Sequence, residues 1–146
     1  MVLGRRDRYL DTVARRVFHA DVDAARASRT VATILGALRT IPIEAGTCAD
    51  EDCNRAGVMA HVTSDLSTVV LCPRFFLIGP GQMRRTLIHE AGHAAGIDAS
   101  LAAADEDYCT ELPTIDCTDP CGNLSGRLDR NVDAWANYVE CAAFSS

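Results

Sequence analysis

The sequence lacks any apolar run that approaches the roughly 18 residues of a membrane-spanning helix. It also lacks an excess of positive charge, since the formal net charge is -6 and the pI is about 5.1. Nucleic-acid binding depends on a basic surface that contacts phosphate groups. These two absences predict a protein with no membrane span and no nucleic-acid partner.

A secretory leader is also missing from the beginning of the sequence. The first ten residues, MVLGRRDRYL, place charge where a leader needs a continuous apolar stretch of about 7–15 residues. We therefore expect an intracellular protein, a mature form or a domain of a longer polypeptide. Seven cysteines in 146 residues favour an oxidising destination, so we expect the chain to be secreted or delivered outside the producing cell.

The seven cysteines predict two or three disulfides, with at least one thiol left over because the count is odd. The segments CADEDC (48–53) and CTDPC (117–121) each place two cysteines around a short polar turn, where a local bridge would fit. A zinc site built from cysteine is the alternative, but neither spacing matches the CxxC pairs typical of such sites. The pairing itself stays open.

Hydrophobic periodicity predicts four helices and two short strands. The predicted helices cover residues 5–20, 30–39, 82–95 and 129–144, and the predicted strands cover residues 58–62 and 68–72. An acidic loop at 48–56 and a long Cys- and Pro-bearing connection at 97–128 complete the chain. Because helices precede and follow a small β region, we predict one α+β domain over residues 1–146, mainly helical, with a disulfide-stapled loop.

The segment TLIHEAGHAAGI at residues 86–97 carries the strongest chemical signal. His89 and His93 are four residues apart, so on a helix both imidazoles lie on one face and can bind one cation. Glu90 is rotated by roughly 100° around the helix axis, so it suits contact with a water at the metal rather than ligation. This HExxH pattern is typical of zinc peptidases in which the glutamate is the general base. Two histidines held by hydrogen bonds in a core are the structural alternative.

A zinc peptidase of this kind needs a third protein ligand, and its identity differs between groups. Metzincins place a histidine three residues after a glycine, but Ala99 stands at that position here. Glu140 on the last predicted helix would suit the gluzincin arrangement. Asp98 is a further candidate, although it would equally cap the turn after the helix. The segment DEDY at residues 105–108 supplies another carboxylate, or is simply a solvated acidic loop.

With this segment included, the sequence resembles the aspzincin metalloendopeptidases, the group of deuterolysin and peptidyl-Lys metalloendopeptidase. Their signature is HExxH followed by a GTxxDxxYG-type segment, and Asp105 and Tyr108 occupy the D and Y positions of that segment here. The chain departs from the signature at residues 101–102, which are Leu-Ala instead of Gly-Thr, and at Cys109, which replaces the final glycine.

Two further segments resemble the same family. LCPRFF at residues 71–76 is similar to the strand and turn before the active-site helix, and NVDAWANY at residues 131–138 is similar to the N-A-D-x-Y-A helix. The resemblance implies a zincin-like metallopeptidase fold with its catalytic region at residues 58–144, while residues 1–40 form N-terminal helices outside it.

The resemblance also implies roles for individual residues. Zn²⁺ would be held by His89, His93 and Asp105, and Glu90 would act as the general base. Tyr108 would stabilise the oxyanion that forms on the scissile carbonyl, although an ordinary surface tyrosine is the alternative. The aspzincins include lysine-specific members, whose N-A-D helix contributes acid to the pocket for that lysine.

We therefore expect a zinc metalloendopeptidase that hydrolyses a protein or peptide substrate. Asp133 matches the acid of the N-A-D helix and would bind a lysine after the scissile bond, unless it only caps or solvates the last helix. The chain would also suit the toxic domain of a bacterial effector, with an inhibitor or immunity protein as a partner. A catalytically inactive zincin-like module and a cysteine-built zinc-binding interaction module are the alternative functions.

The remaining candidates are expected to have structural or supporting roles. Trp135 lies at helical spacing and is predicted to belong to the core, and His19 and His61 are predicted to be structural. If the strand at residues 68–72 forms the sheet edge above the site, it would bind the substrate by strand addition.

Overall fold

The computed structural model describes residues 5–18, 22–97, 109, 117, 121 and 128–144 of the chain. It contains four α-helices, namely α1 (Arg5–Phe18), α2 (Ala24–Thr40), α3 (Pro80–Ala94) and α4 (Val132–Phe144), and two short 3-10 helices, Pro73–Leu77 and Leu128–Arg130. Three strands, β1 (Ile43–Ala45), β2 (Ala60–Val62) and β3 (Val69–Leu71), form one small sheet. The predicted α+β class is therefore confirmed.

The chain divides into two compact units. One is formed by Met1–Ala32 with Asp98–Ser146, and the other by Thr33–Ile97. In the described part of the chain, no helix is both long enough and apolar enough to cross a membrane, as the sequence predicted.

The first unit is built on the packing of α1 against α4. Val13, Val17 and Phe18 recur at helical spacing, and all three are buried. The ring of Phe18 lies 4.3 Å from the ring of Trp135 and 5.5 Å from that of Tyr138, centroid to centroid. Aromatic rings in tilted contact stabilise a core by about 0.5–1.5 kcal/mol beyond their buried area. Trp135 is a core residue, as predicted.

Local hydrogen bonds fix the beginning of α4. The side-chain oxygen of Asn131 accepts the backbone N–H of Ala134 at 2.9 Å, which satisfies one of the donors left open in the first helical turn. The indole N–H of Trp135 donates to the backbone carbonyl of Asp129 at 2.9 Å. The buried carboxylate of Asp129 in turn forms a 2.6 Å ion pair with Arg26 of α2. The segment before α4 is thus held to two other parts of the same unit.

Helix α4 begins at Val132 instead of residue 129, because Leu128–Arg130 forms a separate 3-10 helix. The starts of α2 and α3 differ from those predicted because of caps. Helix α2 begins at Ala24, six residues earlier than the apolar pattern indicated, since Asp23 accepts the backbone N–H of Arg26 at 2.7 Å and acts as an N-cap. Helix α3 begins at Pro80 instead of residue 82, since proline has no N–H to leave unsatisfied at the first helical position.

The sheet of the second unit has the order β1-β3-β2, with β1 parallel and β2 antiparallel to β3. The expectation that residues 68–72 form a sheet edge is wrong, because β3 has a paired strand on each side. Val69 and Val70 of β3 are buried accordingly, whereas the three residues of β1 are exposed. Helix α3 packs against β2, which is an edge strand of the described sheet.

All seven cysteines are described, and six of them form three disulfides, which confirms the predicted number. The pairs are Cys53–Cys72, Cys109–Cys121 and Cys117–Cys141, and Cys48 is free and exposed. Bridges within CADEDC and CTDPC do not form. Three of the four cysteines in these segments, Cys53, Cys117 and Cys121, pair instead with a cysteine 12 to 24 residues away, which constrains the unfolded chain more than a local bridge would.

Helix α3 ends in a Schellman motif, with Gly96 as the C′ residue that the sequence predicted. Gly96 has φ of +79°, its N–H donates to the carbonyl of His93, and the N–H of Ile97 donates to that of Gly92. A Cβ atom at Gly96 would meet no atom within 4 Å. The requirement for glycine is therefore conformational rather than steric.

We predict that Gly96→Ala lowers the free energy of unfolding by about 1–2 kcal/mol, the cost of a left-handed conformation for an L-residue. Gly36→Ala is the matched control, because Gly36 lies within α2 and a Cβ there also meets nothing within 4 Å. That substitution should raise stability by about 0.5–1 kcal/mol. Denaturant unfolding of the oxidised proteins measures both changes, and an equal effect of the two substitutions would contradict the assignment of the motif.

Candidate metal site on helix α3

The last two turns of α3 are buried on every side. Every residue from 88 to 93 is less than a tenth exposed, including His89, Glu90 and His93 at 8%, 8% and 6%. The small residues Ala91 and Gly92 permit close approach of neighbouring structure, which is how a helix with three ionisable groups comes to be enclosed. Burial of such groups is unfavourable unless each is bonded to a partner or to a metal.

The two imidazoles converge on one point. The Nε2 atoms of His89 and His93 lie 3.2 Å apart, and the ring planes are inclined at 75° with centroids 4.9 Å apart. The i and i+4 positions of a helix bring the side chains to the same face, as the sequence predicted. At this distance the two ring nitrogens form a hydrogen bond whose direction depends on the tautomers.

The same separation fits a metal. Zinc bound tetrahedrally to two imidazole nitrogens at about 2.0–2.1 Å holds those nitrogens about 3.3–3.4 Å apart. The observed 3.2 Å is close to this value, so zinc would require little movement of either ring. Imidazole is also a donor that zinc prefers. The described residues therefore fit half of a zinc coordination shell.

Glu90 follows His89 on the same helix and is buried to the same extent. Because successive residues of a helix are rotated by about 100°, Glu90 lies off the face that carries His89 and His93. The two histidines would then be the metal ligands from α3. The arrangement on α3 thus supplies two metal donors and an adjacent base.

The predicted third ligand, Asp105, lies outside the described residues, and so do Tyr108, Asp98 and His19. The residue that follows Tyr108 is described. Cys109 is buried, forms a disulfide with Cys121, and donates its backbone N–H to Oδ2 of Asp133 at 2.9 Å. The D-x-x-Y segment is therefore followed directly by a firmly anchored position.

The same hydrogen bond bears on the role of Asp133. Its carboxylate is buried in the first turn of α4, and one of its oxygens accepts the backbone N–H of Cys109. That contact gives Asp133 a structural function that differs from the expected capping or solvation of α4, because Asn131 supplies the side-chain cap and the carboxylate of Asp133 is buried. Binding of a substrate lysine by Asp133 stays a prediction. Glu140, the gluzincin alternative, lies near the end of α4.

A second group of potential metal ligands surrounds His61 on β2. Its Nε2 lies 3.3 Å from Oδ2 of Asp50, and its Nδ1 lies 4.0 Å from Oδ2 of Asp52. Burial acts to raise the pKa of Asp50, but hydrogen bonds from the backbone of Cys53, from His61 and from the backbone of Asp52 hold that pKa below its ordinary value. One ring nitrogen of His61 also lies within 4.8 Å of the sulfur atoms of Cys53 and Cys72.

Sequence reasoning assigned His61 a structural role and missed this group. No motif marks it, because its members come from a loop, from β2 and from the end of β3. The pairing of the two strands and the Cys53–Cys72 disulfide bring them together. The only signal in the sequence is the coincidence of two aspartates and two cysteines around residues 48–53.

Comparisons with protein-family models, with curated proteins and with solved structures found no match to this chain.

Proposed function

We propose that the protein is a zinc-dependent endopeptidase whose active site lies on α3. The observation that carries the proposal is the convergence of two buried imidazoles to 3.2 Å beside a buried glutamate. Burial of ionisable side chains costs free energy unless they bind a partner or a metal. The two imidazole nitrogens, near the spacing of zinc ligands, could bind such a metal.

In this mechanism each residue would have a distinct role. His89 and His93 hold the ion, and Asp105 completes the protein ligands. Zinc bound there would polarise the peptide carbonyl and lower the pKa of water toward neutrality. Glu90 takes the proton of the attacking water and passes it to the leaving amine. Tyr108 donates a hydrogen bond to the oxyanion, a contact worth a few kcal/mol in comparable sites.

The assignment of Asp105 and Tyr108 rests on their resemblance to the aspzincin segment. Two features of the described chain support it. Cys109, the residue that directly follows Tyr108 in the sequence, is fixed by a disulfide and by the hydrogen bond to Asp133 of α4. In addition, β3, a 3-10 helix and α3 follow one another directly, as the resemblance of residues 71–76 to the strand and turn before the active-site helix implies.

The substrate we propose is an extended peptide that pairs with β2. This strand is an edge of the described sheet and packs against α3, so its open backbone groups lie beside the active-site helix. Strand addition supplies main-chain hydrogen bonds to any sequence. A lysine after the scissile bond remains the preferred side chain. All fourteen basic residues of this chain are arginine, so an enzyme with that preference would not cleave itself.

We propose that the enzyme acts outside the cell that makes it. Three disulfides would be reduced in most cytosols and persist in oxidising compartments. A role as the toxic domain of a bacterial effector is one form of this proposal, and an inhibitor or immunity protein would then protect the producing cell.

We predict that Glu90→Gln retains one bound zinc per chain but loses at least about 99% of the peptidase activity, because it removes a proton acceptor and no ligand. The measurement is digestion of a denatured protein that contains both lysine and arginine, with cleavage positions read by mass spectrometry. His89→Ala is the companion variant and should lose both zinc and activity.

Hydrolysis by the Glu90→Gln protein within a few-fold of the wild type would contradict the mechanism. Cleavage positions from the same digest test the substrate preference separately. Lysine should follow the scissile bond, and cuts with no common residue would remove that preference while leaving the peptidase function intact.

We further predict that Asp105→Ala weakens zinc binding by at least tenfold, which corresponds to about 1.4 kcal/mol of binding free energy. Asp98→Ala should leave the zinc affinity unchanged. Asp98 is the matched control because it is the aspartate that lies between α3 and the D-x-x-Y segment, which begins at Asp105. Zinc retained after dialysis against a weak chelator gives both affinities. The opposite order of the two variants would transfer the third ligand to Asp98.

A further inference from the structure

The loop before β2 is clamped to the sheet beside an imidazole. Cys53 in this loop and Cys72 directly after β3 form a disulfide, and both residues are buried. His61, the central residue of β2, is paired in register with Val70 of β3. One ring nitrogen of His61 and the two sulfur atoms all lie within 4.8 Å of one another. Two sulfurs and an imidazole are therefore assembled around one point.

A carboxylate lies beside the same imidazole. Oδ2 of Asp50 is 3.3 Å from Nε2 of His61, which is about the separation that tetrahedral zinc imposes on a nitrogen and an oxygen ligand. Asp52 faces the other ring nitrogen at 4.0 Å, the side from which a second carboxylate commonly orients a ligating histidine. Carboxylate oxygens thus lie within 4.0 Å of both ring nitrogens of His61.

We propose that Cys53, Cys72, His61 and Asp50 form a zinc site when the Cys53–Cys72 disulfide is reduced. Reduction requires a two-electron donor such as a dithiol. The S–S bond breaks, the two hydrogens of the dithiol pass to the two sulfurs, and the dithiol becomes a disulfide. Zinc then replaces the two thiol protons, which are released to solvent.

The geometry of the reduced pair suits this ligation. Two thiolates on one tetrahedral zinc lie about 3.8 Å apart, since each Zn–S distance is about 2.3 Å. The Cα atoms of Cys53 and Cys72 are 5.2 Å apart, so rotation about the side-chain bonds suffices to reach that separation. Soft thiolates combined with imidazole select zinc over magnesium or calcium.

The site would keep one loop attached to one sheet under two redox conditions. In an oxidising medium the covalent bond holds residues 48–56 against β2 and β3. In a reducing medium the metal holds the same residues. The site differs in chemistry from that on α3, because it contains sulfur ligands, and the two can be distinguished spectroscopically whether or not α3 binds zinc.

The test uses cobalt(II) as the probe and a phosphine as the reductant, because phosphines reduce disulfides without supplying thiol ligands. All proteins carry Cys48→Ser to remove the free thiol. With one equivalent of cobalt(II) bound, we expect the reduced protein to show thiolate-to-cobalt absorption in the near ultraviolet. It should also show the visible bands of tetrahedral cobalt. The oxidised protein should show no thiolate absorption. His61→Ala should weaken cobalt binding at this site by at least tenfold, and Asp65→Asn, a carboxylate in the β2–β3 turn, should not.

Two comparisons separate this site from thiols released elsewhere. Cys53→Ser with Cys72→Ser should abolish the absorption, whereas Cys109→Ser with Cys121→Ser should retain it. Equal absorption in the His61→Ala and Asp65→Asn proteins would overturn the proposal, because an unfolded chain or another cysteine pair would then hold the metal. Asp50→Asn with undiminished affinity and unchanged visible bands would contradict the fourth ligand.

Discussion

The structure of the second unit is governed by the need to enclose two imidazoles and a carboxylate in the last two turns of one helix. Each of these groups loses solvation when it is buried, and the loss must be offset by bonds within the protein or to a metal. The 3.2 Å approach of the two Nε2 atoms is close to the separation of about 3.3–3.4 Å that tetrahedral zinc imposes on two imidazole ligands. A helix that served only to fill a core would carry apolar side chains at these positions.

The surroundings of α3 keep this arrangement in place. The Schellman motif ends the helix at Ala94, one residue after His93. At the other end, Pro80 fixes the first helical residue. The neighbouring strand β2 is short, and it is held by β3 and by the disulfide between Cys53 and Cys72. The candidate site therefore depends on elements that are individually small and mutually supported, as the precise placement of side chains requires.

Features determined by neighbours in sequence were predictable. The HExxH helix, its glycine terminus and the core position of Trp135 follow from periodicities of three to four residues and from the conformation that only glycine adopts easily. The number of disulfides followed from the count of cysteines. The helix, its glycine terminus and the number of disulfides depend on nearby residues or on composition, so they can be predicted from one sequence.

Features determined by distant pairing were not predictable. Strand β1 has three residues and is defined by its parallel partner 26 positions later, and without it β3 was expected at a sheet edge. The disulfide partners are likewise set by proximity in the fold, so the short turns around residues 48–53 and 117–121 suggested the wrong bridges. The cluster around His61 has the same origin, since its ligand atoms belong to separate segments.

The central claim is that zinc is held by the two histidines of α3, and X-ray absorption at the zinc edge tests it most directly. The oxidised protein with Cys48→Ser would be loaded with one equivalent of zinc. We predict a shell of nitrogen and oxygen at about 2.0–2.1 Å, with the outer-shell scattering of two imidazole rings. The same scattering should fall by half or vanish in His89→Ala. A shell without imidazole, or one unchanged by that substitution, would contradict the account.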